Sequence, residues 1–344
     1  MKIAEVHNFL EKNKIPSYRL KQIIKAIYQD SVSSFEEISV LPKDLREKML
    51  EEIDILPFIG SEVLVSKKKD SYKALLELQD GKKIETVLLK QDGFWSACVS
   101  SQVGCALGCR FCATGAFGFS RNLTSEEIVG QVLFWKQYIK KYKLENSLRN
   151  IVFMGMGEAF MNYKEVKKSI ENLLDPELFN FGVRHLSLST SGLPSGIKDL
   201  ARDFPQMNLA VSIISANDEK RSDLMPINKK FNLKDINKAL DYYFSKTQRK
   251  VFLEYIMFYN LNDSKKDANN LIDFVKSNSR PDLLHVNLIA YNTTGEEFKP
   301  SPRATIDWFR NYMLKNKINT TVRKSLGDEI KAACGQLAGE IDKA

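Results

Sequence analysis

The sequence predicts an α/β protein built on an incomplete, TIM-like parallel (β/α)6 barrel. After Trp95, short apolar strands alternate with amphipathic stretches of helical length, which is typical of parallel βα units joined by right-handed crossovers. A complete eight-stranded barrel usually needs about 250 residues. The chain after Trp95 is no longer than that and shows six clear strands, which indicates that the barrel is not complete. We divide the chain into residues 1–60, 61–90, 91–330 and 331–344.

The first division, residues 1–60, is predicted to be a small helical module. Apolar residues recur at helical spacing in two segments that Pro16 and Ser17 separate. A third short helix is expected around Phe35, and a fourth after Leu41 and Pro42. This module precedes the barrel as an accessory unit.

Residues 61–90 are predicted to form a short β-hairpin extension. From Ser61 onward, apolar side chains recur at every second position as far as Leu88. Asp80 and Gly81 lie between two of these alternating runs, and this dipeptide is typical of a hairpin turn.

Residues 91–330 supply the barrel. Thr124 and Glu127 form a capping box at the start of one helix. In barrels of this kind the functional side chains lie at the carboxyl ends of the strands. The predicted strands are residues 150–154, 185–189, 209–213, 251–257, 285–289 and 319–322.

Composition excludes several classes of protein. The chain has 344 residues, of which 43% are hydrophobic and 27% charged, so collagen, a disordered tail and a disulfide-stapled miniature domain are excluded. No apolar run approaches the ~18 residues of a membrane span. The amino terminus lacks the order of charges and apolar residues found in a signal peptide, so we expect a cytoplasmic protein without membrane association.

The net charge of +8 favours attraction to a polyanion only weakly. The excess of basic residues lies after residue 60, in runs such as residues 67–69 and 140–143. Any single run of this kind is best interpreted as a solvated surface.

Five cysteines carry the most specific signal, because an odd number argues against a disulfide framework. Cys105, Cys109 and Cys112 can supply three thiolates to a compact cluster. A structural zinc site needs a fourth ligand, and the remaining cysteines and histidines show no paired spacing. A [4Fe-4S] cluster with one open iron therefore fits better than zinc. The remaining candidates for a fourth zinc ligand are Cys98, Cys334, His7, His185 and His285. We interpret the three histidines as structural.

The spacing C-x3-C-x-aromatic-C, with Phe111 as the aromatic residue, resembles the signature of the radical S-adenosylmethionine (SAM) superfamily. In that superfamily the open iron chelates SAM, and one electron from the cluster generates a 5′-deoxyadenosyl radical. A glycine-rich turn at residues 154–158 matches the superfamily's second motif, although glycines also serve any tight turn. Glu158 favours the SAM interpretation because its carboxylate suits the ammonium group.

A closer resemblance, from about Arg19 to the carboxyl terminus, is to the RlmN/Cfr family of radical SAM RNA adenine methyltransferases. Five separate motifs occur in the family's order, which makes coincidence very improbable. They are residues 98–105 (CVSSQVGC), 154–158 (MGMGE), 188–192 (LSTSG), 225–228 (MPIN) and 332–337 (AACGQL).

The resemblance implies catalytic roles for three residues outside the cysteine loop. Carbon 2 of adenine is electrophilic, and the family uses two SAM molecules per turnover to methylate it. Cys334 corresponds to the cysteine that is first methylated and then, as a methylene radical, adds to the base. Cys98 corresponds to the thiol that attacks the resulting protein-RNA thioether, leaving a disulfide. Glu85 corresponds to the proposed base. Without the resemblance, Cys98 resembles a buried small hydrophobe and Glu85 a solvated strand residue.

The same resemblance implies a SAM-binding set. Relatives usually have histidine at the position of Ile214. At this position either the backbone makes the SAM contact or the assignment does not transfer. The implied set is Gly157, Glu158, Ser189, Ser212, Ile213, Ile214 and Asn292.

The expected substrate is an adenosine of 23S ribosomal RNA in the peptidyl-transferase region, together with the adenosine beside the tRNA anticodon. The sequence of residues 118–123, GFSRNL, favours the branch that methylates C2. The alternatives are the branch that methylates C8 and confers antibiotic resistance, and a non-catalytic iron-sulfur RNA-binding protein. We expect a monomer, and an electron donor such as flavodoxin. Arg19, Lys21 and Lys25 either hold RNA phosphates or form a solvated helix face.

Overall fold

The computed structural model of the chain describes residues 3–338 and contains a ten-stranded sheet and a separate two-stranded sheet. The strands are β1 (Phe58–Val65), β2 (Ser71–Leu78), β3 (Lys83–Gln91), β4 (Phe94–Cys98), β5 (Gln102–Gly104), β6 (Phe119–Asn122), β7 (Leu148–Phe153), β8 (Leu186–Thr190), β9 (Asn208–Ser212), β10 (Val251–Met257), β11 (Leu284–Ala290) and β12 (Thr320–Arg323).

The helices lie between the strands and before them. They are α1 (Ile3–Lys12), α2 (Tyr18–Ile24), α3 (Lys43–Glu52), α4 (Ala113–Phe117), α5 (Ser125–Lys141), α6 (Tyr163–Leu174), α7 (Pro194–Asp203), α8 (Asp218–Leu224), α9 (Leu233–Lys246), α10 (Lys265–Lys276) and α11 (Arg303–Lys315). A π-helical turn at Lys25–Gln29 continues α2, and single 3-10 turns occur elsewhere.

The parallel part of the large sheet confirms the predicted α/β barrel. Its order is β4-β7-β8-β9-β10-β11-β12, and all of these neighbours are parallel. Six of the strands are those predicted, and β4 is the strand-like stretch before the cysteine motif. Since β12 and β4 lie apart in this order, the barrel does not close. Apolar strands such as β10 are buried on both faces because helices cover the outside.

The antiparallel part of the sheet extends the barrel on the β4 side. β1, β2 and β3 form a meander, and β3 pairs antiparallel with β4. The turn at Gly81 joins β2 to β3, as Asp80 and Gly81 predicted, and Gly81 has a φ of 76°. The extension therefore contains three strands, one more than a hairpin.

The helical module packs against the barrel through one continuous apolar core. Val6 and Phe9 of α1 belong to the same cluster of buried residues as Val251 in the barrel. Polar bonds reinforce the junction, since Gln137 Nε2 donates to Val32 O at 2.7 Å and Gln29 Nε2 donates to Pro176 O at 3.0 Å.

Helix α5 begins with the capping box that Thr124 and Glu127 predicted. The Thr124 hydroxyl accepts from Glu127 N at 3.2 Å, and the Glu127 carboxylate accepts from Thr124 N at 2.8 Å. Within residues 3–338, no helix combines the length and the apolar character that crossing a bilayer requires.

Candidate active site

The three cysteines of the predicted cluster motif face a common cavity at the carboxyl ends of the barrel strands. Cys105, Cys109 and Cys112 lie in the loop between β5 and α4. We call this space the cysteine-loop cavity. Its lining includes the glycine turn, the ends of several strands and one residue near the carboxyl terminus: Cys105, Cys109, Cys112, Gly157, Glu158, Ser189, Ser212, Ile214, Glu254, Arg323 and Cys334.

Burial and mutual proximity oppose ionisation of two of these thiols, Cys105 and Cys109. The pKa of Cys105 is raised to about 11, mainly by burial. The pKa of Cys109 is also raised, by burial first and then by Cys112 and Cys105. Three thiolates therefore need a positive centre beside them, and a metal cluster supplies one.

One buried cation already lies beside the thiols. Arg221 of α8 is fully buried, and burial lowers its pKa to about 10, although Cys109 acts in the opposite direction. Its Nε donates to Ile213 O at 3.0 Å, and its Nη1 donates to Asn228 Oδ1 at 2.6 Å. This positive charge, together with three thiols on one cavity, fits an anionic iron-sulfur cluster. Within residues 3–338, no three His, Cys, Asp or Glu side chains are arranged to hold a metal ion by themselves.

The glycine turn after β7 is required by close packing. A Cβ on Gly155 would lie 2.8 Å from the Val99 backbone, and one on Gly157, whose φ is 99°, would lie 2.6 Å from Gln102 Cβ. Any other residue at either position would displace the turn.

Glu158 follows this turn and is held in place by backbone donors. Its Oε2 accepts from Ser191 N at 2.7 Å and its Oε1 from Phe160 N at 3.2 Å. Burial raises its pKa, while these bonds act against the rise. A bound ammonium group would offset the burial of the carboxylate.

The end of β9 and the residues after it take an unusual backbone conformation. Ile214 has a φ of 61°, which is strained for a β-branched residue. Asn262 Nδ2 donates to Ile214 O at 2.7 Å and holds this conformation. The N–H groups of Ile213 and Ile214 both donate to Glu254 O, so these two donors are already occupied.

The predicted SAM set is thus divided by the fold. Ser189, Ser212 and Ile214 line the cysteine-loop cavity together with the glycine turn, whereas Ile213 is fully buried outside that lining. Asn292 lines a second cavity, and its Nδ2 donates to Cys334 O at 3.1 Å.

That second cavity brings the other two cysteines together. We call it the Cys98 cavity; its volume is about 690 Å³, and Cys98, Cys112, Asn292, Arg323 and Cys334 are among its lining residues. Cavities of about 300–1,000 Å³ are typical of small-molecule sites. Burial raises the pKa of Cys98 to about 12, and the nearby Cys334 adds to the rise.

Sequence reasoning missed two charged residues of the site: Arg323, and Glu254 of the cysteine-loop cavity. Arg323 lines both cavities, and its pKa is raised by Cys334 first and then by Glu254 and Cys98. Its Nη1 lies 3.8 Å from Glu254 Oε2. The available signal for Glu254 was a carboxylate in the middle of the apolar strand β10.

The segment that carries Cys334 is bonded on several sides. Gly335 O accepts from Ala113 N at 2.8 Å, and Gln336 Nε2 donates to Thr293 O at 3.2 Å and Asp328 Oδ1 at 2.6 Å. These bonds hold an exposed Cys334 among buried neighbours. Residues 339–344 of the predicted segment 331–344 lie outside the described residues.

Glu85 on β3 lies in neither cavity lining. It is buried, with its Oε1 2.8 Å from Lys73 Nζ, and its Oε2 accepts from Ala338 N at 2.8 Å. The expectation of a solvated strand residue is therefore wrong, and Glu85 instead contacts the segment that carries Cys334.

The basic residues of the second helix have partners within the protein. Arg19 Nη1 donates to Val40 O at 2.7 Å and to Gln22 Oε1 at 2.8 Å. Lys21 Nζ lies 3.9 Å from Glu177 Oε1 in an exposed pair. Exposed pairs of this kind exchange readily with solvent or phosphate.

Comparison with known protein families identifies two parts of the chain. The family model of the Radical SAM superfamily matches residues 99–272. The family model of the ribosomal RNA large subunit methyltransferase N-terminal domain matches residues 1–55, which include most of the helical module.

Relatives match almost the whole chain. A protein of Clostridium botulinum (strain Okra / Type B1), named ribosomal RNA large subunit methyltransferase Cfr, is 42% identical over 98% of this chain and 97% of its own length. The protein of that name from Staphylococcus aureus is 38% identical over 100% of this chain and 98% of its own length. The crystal structure of a radical SAM methyltransferase from Sphaerobacter thermophilus superposes with a TM-score of 0.91 at 37% identity, covering 99% of this chain and 98% of that one.

Proposed function

The chain belongs to the RlmN/Cfr family of radical SAM methyltransferases of large-subunit ribosomal RNA, and we propose that it methylates C2 of an adenosine in 23S ribosomal RNA. The observation that carries adenosine methylation through two thiols is the position of Cys98 and Cys334 on one cavity that also reaches Cys112 of the cysteine loop. The choice of C2 over C8 rests on the sequence of residues 118–123. A merely structural iron-sulfur cluster needs neither of those two thiols.

The family's [4Fe-4S] cluster and SAM supply methyl groups and radical chemistry when bound. We propose that Cys105, Cys109 and Cys112 hold the cluster, and that Glu158 accepts the SAM ammonium beside the glycine turn. Ser189, Ser212, Ile213, Ile214 and Gly157 complete the proposed SAM site, with Ile214 contributing an apolar surface. Asn292 joins this site if its bond to Cys334 O opens.

Cys334 is proposed as the methyl acceptor. It lines both cavities, so its sulfur can face the SAM side and the RNA side. Its exposure favours attack on an electrophile that enters the cavity. Arg323, which lines both cavities, brings a positive charge to the same part of the site.

Cys98 is proposed to resolve the protein-RNA thioether. Its thiolate attacks the sulfur of Cys334, the sulfur-carbon bond to the RNA breaks, and the electron pair leaves on the methylene carbon, which takes a proton. The product is a methylated base and a Cys98–Cys334 disulfide, which an external dithiol reduces. This step first needs a base to remove the proton from the adenine carbon.

Glu85 is the proposed base. Its hydrogen bond to Ala338 N connects it to the segment that carries Cys334. Opening this bond would free one carboxylate oxygen toward a substrate that displaces the segment. Lys73 would hold the other carboxylate oxygen in place until that point.

A second candidate function is methylation at C8, because relatives from three genera bear the name Cfr. The cysteines and the glycine turn serve both reactions and cannot separate them. We further propose that the chain acts as a monomer in the cytoplasm, receives electrons from a donor such as flavodoxin, and also accepts the tRNA adenosine beside the anticodon. The helical module, with Arg19, Lys21 and Lys25, is proposed to contact RNA phosphates.

Product analysis of the reconstituted enzyme tests the proposal. The protein, reduced anaerobically with SAM, is incubated with a 23S ribosomal RNA fragment and separately with tRNA, and the nucleosides are resolved by mass spectrometry. 2-Methyladenosine is the expected product, and 8-methyladenosine would assign the second candidate. SAM cleavage to 5′-deoxyadenosine without RNA methylation would contradict both, and no cleavage would favour a non-catalytic iron-sulfur protein.

A further inference from the structure

Glu254 lines the cysteine-loop cavity, and its carboxylate is buried. Its side chain is 8% exposed, and its Oε1 accepts from Asn287 Nδ2 at 3.1 Å. Its Oε2 accepts no hydrogen bond among the described residues, and Arg323 Nη1 lies 3.8 Å away. An unsatisfied buried carboxylate oxygen is costly, which indicates that a ligand donor completes the site.

The position of Glu254 determines which donor of SAM it can receive. SAM offers an ammonium group, two ribose hydroxyls and the adenine amino group. The Glu158 N–H contacts the Cys105 sulfur, which places Glu158 at the cluster end of the cavity, whereas Glu254 lies beside Arg323. A ligand whose amino acid end lies beside Glu158 would place its nucleoside toward Glu254.

Within the nucleoside, the surroundings favour the ribose. Glu254 is the register partner of Ser212 on β9, so a carboxylate and a hydroxyl lie side by side on neighbouring strands. Two adjacent polar groups suit a vicinal diol. The apolar side chains of Ile214, Ile256 and Ile289 in the same lining offer a surface to the adenine ring.

We infer that Glu254 accepts a hydrogen bond from a ribose hydroxyl of SAM and is thus a SAM-binding residue of the cysteine-loop cavity. The inference rests on the proposed function, since it takes SAM as the occupant of this cavity. Burial raises the pKa of Glu254, Arg323 acts against that rise, and Asn287 occupies the other carboxylate oxygen.

The test measures binding by calorimetry, without turnover. S-adenosylhomocysteine and its 2′-deoxy, 3′-deoxy and inosine analogues are titrated into the anaerobically reconstituted protein and into Glu254→Gln. In the variant, Asn287 should retain the amide oxygen, so that the amide NH2 faces the cavity. Wild type should lose about tenfold or more in affinity when the recognised hydroxyl is removed. Glu254→Gln should bind S-adenosylhomocysteine correspondingly weakly and become insensitive to that hydroxyl.

The controls separate this inference from the proposed function. Glu171→Gln makes the same chemical change on the exposed side of α6 and should bind like wild type. Equal affinity of the wild type for S-adenosylhomocysteine and both deoxyribose analogues would overturn the inference, and this result needs no variant. A loss of affinity that is confined to the inosine analogue and disappears in Glu254→Gln would also overturn it. If S-adenosylhomocysteine and SAM bind to no form of the protein, the proposed function itself fails.

Discussion

Lys73 Nζ lies 2.8 Å from Glu85 Oε1, and the two side chains are only 4% and 1% exposed. The two strands that carry them, β2 and β3, belong to the antiparallel extension and not to the barrel. Because Ala338 N donates to the other oxygen of Glu85, this buried pair connects the extension to the carboxyl-terminal segment.

Replacing Lys73 with Met should destabilise the protein strongly. Removal of one partner of a buried ion pair leaves an uncompensated charge and costs about 3–5 kcal/mol. Denaturant unfolding followed by circular dichroism measures this loss. Lys43→Met is the control, because Lys43 pairs with Glu47 on the surface and should change the free energy of unfolding by at most about 1 kcal/mol. Equal stability of the two variants would contradict the importance of the buried pair.

Glu85→Gln should reduce RNA methylation by about 100-fold or more, the usual contribution of a general base. The cluster absorbance and the affinity for S-adenosylhomocysteine should stay close to wild type, because Glu85 lines neither cavity. Single-turnover assays of methylated nucleoside measure the effect. A variant that methylates RNA at the wild-type rate would remove Glu85 from the mechanism.

The raised pKa of Cys98 predicts a pH-dependent resolving step. Burial raises the pKa of Cys98 to about 12, so most of the thiol is neutral between pH 7 and 9. The thiolate fraction should therefore rise about tenfold per pH unit over this range. Release of RNA from the covalent intermediate, followed by rapid quench, should accelerate accordingly. A release rate independent of pH over this range would show that Cys98 deprotonation does not limit the step.

Replacing Cys105, Cys109 or Cys112 with Ala should abolish the iron-sulfur absorbance and the SAM cleavage. Two thiolates rarely retain a [4Fe-4S] cluster. Iron and sulfide analysis after anaerobic reconstitution measures the loss, with Cys98→Ala as the matched control that keeps all three loop thiols. Wild-type protein that takes up zinc and no iron would contradict the cluster assignment.

The sequence predicted the barrel well because its signals are local. The six predicted strands are apolar runs bounded by polar residues, and their periodicity is visible within a few positions. The capping box of Thr124 and Glu127 spans only four residues. These features need no knowledge of distant parts of the chain.

The contacts that complete the site could not be predicted in this way, because they join distant residues. Glu85 meets Ala338 across 253 positions, and Asn292 meets Cys334 across 42. The resemblance drew attention to Glu85, Asn292 and Cys334, but not to the partners that the structure gives them. Arg221 and Glu254 gave no motif, and their importance comes from burial of charge, which the sequence alone does not show.

The division of labour between Cys98 and Cys334 is the central claim, and one gel measures it directly. Wild type, Cys98→Ala and Cys334→Ala, each with an intact cluster, are reduced with SAM and a labelled ribosomal RNA fragment and then resolved under denaturing conditions. Cys98→Ala should accumulate an RNase-sensitive protein-RNA species, because the thioether forms but is not resolved. Cys334→Ala should give neither that species nor methylated RNA. Turnover of Cys98→Ala at the wild-type rate, or a covalent adduct in Cys334→Ala, would contradict the assigned roles.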